Sequence, residues 1–260
     1  MVSALRQGWI ITQRDLLHWV RQPAGPLFTL LFSLMLLVVF ALFFGGAIQL
    51  PGGGDYIAYL LPGLYAMTMT MGVETTMAAM AQDSKKGVTD RFRSMPIASA
   101  SVALGRSGAD MLTSVLQLTA LLLGGLVIGW RVTSDPLSAL LAVVLLLWLR
   151  SALLWVGIFL GLTFRSEGAT VAVQVLVWPV VFLSNAFVSP ETMPAWLAAL
   201  ASWNPLSATA TASRQLFGNP TGVSGGWLLD AAVPMAVLWP LVITAVFLPL
   251  SARAYRRLSR

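Results

Sequence analysis

The stretch LSALLAVVLLLWLRSALLWVGIFLGLTF, residues 137–164, runs for 28 residues with Arg150 as its only charged side chain. About 20 apolar residues are enough for a helix to cross the hydrocarbon core of a bilayer. Because lipid offers no partner for backbone polar groups, only helices and closed barrels can cross it, and stretches of this length are helical. The sequence predicts an all-α polytopic membrane protein with six transmembrane helices, at about 27–48, 56–80, 111–129, 137–164, 169–189 and 228–251.

The composition agrees with a lipid environment. Hydrophobic residues make up 57% of the chain, charged residues make up 10%, and the mean hydropathy is +0.80. The net charge of +6 does not indicate a nucleic-acid partner, because the basic residues cluster at the ends of spans and are not interleaved with aromatic residues. We expect the lipid bilayer itself to be the main partner of this chain.

The distribution of basic residues predicts the orientation. An even number of spans places both termini on one face, and 13 of the 16 lysines and arginines fall on that face. Arg131 and Arg214 are predicted on the opposite face, and Arg150 lies within a span. The positive-inside rule therefore predicts cytoplasmic N- and C-termini and a multi-pass protein of the inner (plasma) membrane.

One membrane domain, residues 1–260, accounts for the whole chain, and three segments lie outside its spans. The first is 1–26, where the apolar side chains of Val2, Leu5 and Trp9 recur with helical spacing. This pattern predicts a cytoplasmic amphipathic helix lying at the membrane interface, which Pro23 and Pro26 end before the first span. It is either a simple basic anchor or a docking surface for a cytoplasmic partner.

The second segment is the cytoplasmic loop 81–110. Its central part, QDSKKGVTDRFRSMPIAS (residues 82–99), alternates the charged residues Asp90, Arg91 and Arg93 with the apolar residues Phe92 and Met95. Charge combined with apolar anchors is typical of a protein interface. A solvated loop that follows the positive-inside rule is the alternative.

The third segment is 190–227, predicted on the external side. Apolar spacing predicts one short helix before Asn204 and Pro205 and a second after them, ended by Gly218. Neither helix is long enough to span. They are either re-entrant helices that dip back from the outer surface, or an interfacial pair anchored by Trp196 and Trp203 in the aromatic belt.

Two motifs carry a family resemblance: DRFRSMPIA at 90–98 and MPAWLAALASWNPLSATATASRQL at 193–216. With the order of the spans, they resemble the type-2 family of ABC exporter permeases, most closely the membrane subunits of daunorubicin-type drug exporters. The resemblance implies that Asp90, Arg91, Phe92 and Arg93 belong to a coupling helix seated on a cytoplasmic ATPase. It also implies a homodimer of permeases with two ATPase subunits, which would bind ATP and Mg. The external helices would then be re-entrant and close the outer end of the pathway, with a gate segment that includes Trp196, Trp203, Asn204 and Pro205.

Glu74 and Arg150 are candidate charges within the membrane. An ionisable group at mid-bilayer costs at least about 2.5–3.5 kcal/mol and normally faces protein or water. We expect Arg150 either to line a pathway or to pair with an acid such as Glu74, within the chain or across a dimer. Alternatively, the 28-residue span slides until Arg150 reaches the outer headgroups.

The sequence offers no catalytic chemistry. It has no GxxxxGK[ST] phosphate loop, one histidine and no cysteine, so we predict no catalytic residue, no metal site and no cofactor in this chain. The expected function is an ATP-driven exporter subunit for a hydrophobic or amphiphilic cargo such as a drug, polyketide or lipid. The alternatives are export of a polysaccharide or cofactor by the same family, an ion-driven secondary transporter, and a non-transporting scaffold.

Overall fold

The computed structural model describes residues 12–13, 24–45, 50, 54–85, 99–164 and 166–257. Within these residues the regular structure is helical and contains no strand, which confirms the all-α prediction. The helices are α1 (Ala24–Phe44), α2 (Tyr56–Lys85), α3 (Ser99–Ile128), α4 (Pro136–Thr163), α5 (Glu167–Phe182), α6 (Ala195–Trp203), α7 (Pro205–Phe217), α8 (Trp227–Asp230) and α9 (Ala232–Arg257), with a 3-10 turn at Pro190–Thr192.

Four helices contain apolar stretches long enough to cross a membrane: Tyr56–Gln82, Ser107–Ile128, Pro136–Thr163 and Ala232–Tyr255. In α1 and α5 the apolar stretches are shorter, Leu27–Phe43 and Gly168–Phe182. The described part of the chain is therefore a polytopic membrane architecture, and six crossings stay a prediction.

The helix ends differ from the ends of the predicted spans, because a helix does not have to end where hydropathy falls. The loop predicted over 81–110 is helical at both ends, since α2 continues to Lys85 and α3 begins at Ser99. Polar residues can extend a helix beyond the apolar core. The span predicted to reach 189 ends as a helix at Phe182, and the last long helix begins at Ala232 after the short α8.

α2 is the central helix of the bundle. Tyr59, Leu60, Leu61 and Tyr65 are fully buried, so the first half of α2 is enclosed on all sides. The exposed apolar side chains lie mainly on other helices, for example Phe28 of α1, which is 72% exposed. A bundle that encloses one helix and leaves apolar faces on the others is suited to lipid surroundings.

α2 and α4 approach closely through two glycines of α4 spaced four residues apart, Gly157 and Gly161. A Cβ on Gly157 would lie 2.8 Å from both the Cβ of Thr76 and the carbonyl oxygen of Val73. This is the GxxxG pattern, in which small residues let helix backbones approach in a membrane. The sequence GIFLG at 157–161 carried this signal, and our sequence reasoning missed it.

Of the predicted N-terminal amphipathic helix, only Thr12 and Gln13 are described, and both are helical. The Thr12 hydroxyl is buried and donates a 2.8 Å hydrogen bond to the carbonyl of Gly105 in α3. The N-terminal segment therefore contacts the beginning of α3. The apolar face predicted from Val2, Leu5 and Trp9 lies outside the described residues.

Candidate functional site

α7 is a short helix enclosed by the bundle. Ten of its 13 residues are buried, and it packs against α2, α4 and α9. Thirteen residues reach about 20 Å along a helix axis, less than the roughly 30 Å hydrocarbon core. Its serines, threonines and alanines are small, so neighbouring helices can approach it closely. α7 therefore enters the bundle without being able to cross a membrane.

The start of α7 is fixed to the end of α5 by Asn204. The Asn204 carbonyl oxygen Oδ1 accepts the amide of Leu206 and caps the helix, while Pro205 occupies its first turn. The Asn204 Nδ2 donates to the carbonyls of Val180 and Leu183 at 2.7 and 2.9 Å. The helix break predicted at Asn204 and Pro205 is confirmed, and so is the end at Gly218, which adopts φ 72°.

The end of α7 is fixed by Arg214, whose side chain is fully buried. Its Nε donates to the carbonyl of Tyr59 at 2.7 Å, and its Nη2 donates to the carbonyls of Asn185 and Ala186 at 3.0 Å each. The guanidinium carbon lies 3.6 Å from the centroid of the Tyr59 ring, a cation–π contact. We call these four residues the Arg214 clamp.

The clamp holds a piece of backbone that lies outside the regular helices. After α5 the chain bends through residues 183–189, and its carbonyls accept from side chains. The Tyr59 hydroxyl donates to Asn185, the Tyr56 hydroxyl donates to Phe187, and the Asn185 Nδ2 donates to Thr211 in α7. Irregular backbone at membrane depth is tolerated when protein satisfies its polar groups, as it does here.

The sequence analysis counted Arg214 with the basic residues of the external side and did not predict that its side chain is buried. Burial of a guanidinium requires partners, and α7 places the side chain among main-chain carbonyls of α2 and the 183–189 segment. Within the described residues no carboxylate bonds to it, and its Nη1 has no hydrogen-bond partner. A signal was available in the sequence, because Ser207, Thr211 and Arg214 recur at helical spacing and form a polar stripe on one face.

Further hydrogen bonds close this end of the bundle around α7. The Trp130 indole N–H donates to Asn219 Oδ1 at 2.9 Å, and the Thr133 hydroxyl donates to the carbonyl of Gly218 at 2.6 Å. Glu191 accepts from the hydroxyl and the amide of Ser224. These hydrogen bonds from Ser224, the hydroxyl first, lower the pKa of Glu191 below its ordinary value. The α3–α4 turn, α7 and the following loop are thus joined at one end, which we call the α7 end.

The two tryptophans predicted at the gate lie on α6, and both are exposed. Trp196 is 65% exposed and Trp203 is 63% exposed, with the Trp203 ring 5.0 Å from that of Trp227. The two short helices therefore differ: α7 is enclosed as a re-entrant helix would be, and α6 presents apolar side chains outward as an interfacial helix would.

The Arg150 side chain lies inside the bundle and is 3% exposed. Its Nε donates to Ser114 and its Nη2 donates to Thr76, both at 2.9 Å, and the Asp110 carboxylate lies 3.9 Å away. The guanidinium also packs against Gly72, where a Cβ would lie 2.5 Å from it. Within this chain, Arg150 therefore does not extend to the headgroups.

The predicted pairing of Arg150 with Glu74 within the chain was wrong. Gly72 and Thr76, which contact Arg150, are each two residues from Glu74, and two residues correspond to about 200° around a helix. Glu74 therefore projects from the opposite side of α2. Its side chain is partly buried, and its Oε1 is enclosed without a hydrogen-bond partner among the described residues.

The predicted coupling residues, Asp90, Arg91, Phe92 and Arg93, lie outside the described residues, so their role stays a prediction. The described residues contain no group of side chains that could hold a metal ion. What these residues do build is a closed end around α7, a charge cluster at Arg150 and a separate acid at Glu74.

Comparison with known proteins identifies the family. Residues 6–217 match the model of the ABC-2 type transporter family. The chain is 32% identical to a daunorubicin resistance ABC transporter permease protein of Streptomyces coeruleorubidus over 244 residues, 94% of this chain and 83% of that protein. It is 29% identical to a probable multidrug ABC transporter permease of Escherichia coli over 199 residues, 74% of this chain and 50% of that protein. The chain belongs to the ABC-2 type transporter family and is a multi-pass permease of the inner membrane.

Proposed function

We propose that this chain is the membrane-spanning subunit of an ATP-driven exporter for hydrophobic or amphiphilic cargo. It would work as a homodimer with two ABC ATPase subunits, which would bind ATP and Mg, and it would cross the membrane six times with both termini in the cytoplasm. The observation that carries the proposal is the enclosed, non-spanning α7, held by the Arg214 clamp at one end of a bundle of this family. A helix in this position can serve as the outer gate of a pathway.

α2 is the element that would connect the ATPases to this gate. It runs without interruption from Lys85, beside the predicted coupling loop, to Tyr56 at the α7 end. Thirty residues correspond to about 45 Å of helix. Tyr59 contributes both its carbonyl and its ring to the clamp, so a shift of α2 would move an acceptor away from Arg214. Closure of the ATPases would thereby be coupled to release of α7.

The cargo class rests on the relatives and on the composition. The two relatives are named as drug-resistance and multidrug permeases, and the chain is rich in apolar residues, 57% of its length. Both observations favour a hydrophobic or amphiphilic cargo. Polysaccharide or cofactor export and ion-driven transport are the competing outcomes of the tests below.

A pull-down from the native membrane tests the partnership. We expect the tagged chain, extracted in mild detergent, to copurify with an ATPase that carries a phosphate loop. A double charge reversal, Arg91→Glu with Arg93→Glu, should abolish copurification. The matched control is Arg253→Glu, an exposed basic residue on the same predicted face, which should retain the ATPase. Recovery of the chain alone, under conditions that preserve other ABC complexes, would overturn the ATP-driven proposal.

The predicted orientation has its own test, because the chain contains no cysteine. Gly225 and Gly168 are exposed, and a Cβ at either would meet nothing within 4 Å. In intact cells, Gly225→Cys should react with a membrane-impermeant maleimide, and Gly168→Cys should react only after permeabilisation. The reverse pattern would show that the α7 end faces the cytoplasm.

A further inference from the structure

We propose that a cleft at the α7 end binds the ammonium headgroup of a membrane lipid. The cleft has a volume of about 180 Å³, and the residues that line it include Glu191 of the 3-10 turn, Ser202 of α6, and Trp227 and Leu228 of α8. A carboxylate and an aromatic ring are the two kinds of side chain that recognise an organic cation. This site goes beyond the proposed export function and does not depend on it.

The Glu191 carboxylate is held in place at the cleft. Its Oε1 accepts the amide and the hydroxyl of Ser224 at 2.5 and 2.6 Å. The Ser189 hydroxyl accepts the Glu191 amide at 3.2 Å and donates to the carbonyl of Gly222. Two neighbouring segments of the chain therefore fix the carboxylate before a ligand binds, which lowers the entropic cost of binding.

In the described part of the chain, no basic side chain pairs with Glu191. The described basic residues at the α7 end are Arg131 and Arg214. Arg131 donates to the carbonyls of Leu126 and Trp130, and Arg214 is enclosed in its clamp. The bonds from the Ser224 segment reach only Oε1 of Glu191, so Oε2 can accept from a cation. The charge of the cleft is thus complementary to an ammonium group.

The surroundings of the cleft indicate a lipid as the source of this ammonium group. Trp196, Leu200 and Trp203 are all exposed, and their spacing i, i+4, i+7 places them on one face of α6. The Trp203 ring lies 5.0 Å from the ring of Trp227, which lines the cleft. Exposed tryptophans are typical of the headgroup level of a membrane. Acyl chains can therefore lie along this apolar face while the headgroup of the same lipid occupies the cleft.

The cleft is connected with the Arg214 clamp. Gly222, which accepts from Ser189, packs against the ring of Tyr59 so closely that a Cβ would have no room. The carbonyl and the ring of Tyr59 both contact Arg214. A lipid that holds the segments on both sides of the cleft together would therefore stabilise the closed α7 end.

The test uses two lipids that differ only in charge at the headgroup nitrogen: dioleoylphosphatidylethanolamine and its N-acetyl derivative. Both are added in equal amounts to the purified full-length chain in detergent, and native mass spectrometry measures which lipid binds first. A cation–π contact and an exposed ion pair each contribute about two- to fivefold in affinity. We therefore expect the wild type to prefer phosphatidylethanolamine about tenfold, and this lipid should raise the midpoint of thermal unfolding by more than its derivative does.

Three variants locate the site. Glu191→Gln keeps an acceptor for Ser224 without the charge, and Trp227→Leu removes the ring, so each should lower the preference to about threefold. Asp135→Asn is the matched control, because Asp135 is an exposed acid of the α7 end that does not line the cleft, and asparagine can also cap α4. It should keep the tenfold preference. Thermal shifts are compared with the lipid-free value of the same variant, which cancels effects of the substitution itself.

The contrary results are distinct. A wild type without preference overturns the proposal, and so does a tenfold preference that persists in Glu191→Gln or in Trp227→Leu. Glycerophosphoethanolamine, which has the same headgroup without acyl chains, should not displace the lipid at equal concentration. If it does so, the cleft binds a soluble amine, and the assignment to a membrane lipid falls.

Discussion

Replacement of Arg214 by methionine is the sharpest test of the gate. Methionine is apolar and fills part of the same space, so Arg214→Met removes the charge and all three hydrogen bonds to the carbonyls of Tyr59, Asn185 and Ala186. A hydrogen bond to a charged group contributes about 1.5–3 kcal/mol, and a desolvated cation–π contact about 2 kcal/mol. The gross loss is therefore about 6 kcal/mol or more.

Part of this loss is offset, because folding must desolvate the guanidinium of arginine but not a methionine side chain. The desolvation penalty of the guanidinium is several kcal/mol. We expect a net loss of about 3 kcal/mol in the free energy of unfolding. For a chain of this size, each kcal/mol shifts the midpoint of thermal unfolding by about 2–4 °C. Arg214→Met should therefore unfold about 6–12 °C below the wild type, measured by size-exclusion detection of heated, detergent-solubilised protein.

Two further variants and a local readout make this result specific. Arg131→Met is the matched control, because Arg131 also donates to carbonyls, those of Leu126 and Trp130, but is exposed, and its loss should be below about 1 kcal/mol. Arg214→Lys keeps the charge without the planar fork and should be intermediate. Hydrogen exchange should accelerate in residues 183–189 of Arg214→Met. A variant as stable and as protected as the wild type would refute the clamp.

Three other predictions follow from the same contacts. Gly157→Ala should lower the free energy of unfolding by about 1–3 kcal/mol, measured by thermal unfolding, because its Cβ would press on the α2 backbone. Gly168→Ala, where a Cβ has open space, should be neutral or stabilising. Equal effects of the two variants would contradict the close α2–α4 approach. Arg150→Met and Asp110→Asn should each destabilise the protein, and a double-mutant cycle should give a coupling of about 0.5–3 kcal/mol, with simple additivity as the contrary result. Because the pKa of Glu191 is lowered from 4.5, the ionised carboxylate stabilises the fold above that pH, and this stabilisation is lost as the pH falls through the lowered value. Glu191→Gln should therefore be less stable than the wild type near pH 7 and equally stable in strong acid. A difference in stability that persists in acid would exclude this charge effect.

The local features of this protein were predictable from its sequence. The apolar stretches, the break at Asn204 and Pro205, and the end of α7 at Gly218 follow from hydropathy and from the backbone preferences of single residues. Two motifs were enough for the family resemblance, which the comparison with known proteins confirmed. Boundaries such as the start of α3 at Ser99 were less accessible, because a helix can continue past the apolar segment that reveals it.

The partners of the charged side chains were decided by tertiary structure. The sequence counted Arg214 as an external basic residue, but its carbonyl acceptor Tyr59 lies 155 positions earlier in the chain. The sequence suggested Glu74 as a partner for Arg150. In the folded bundle Arg150 lies beside Asp110, and Glu74 projects from the opposite side of α2. Hydropathy and helix signals depend on neighbours within a few residues, so the sequence determined where the helices form. The pairing of a buried charge depends on how those helices rotate and pack, and only the folded bundle decides that.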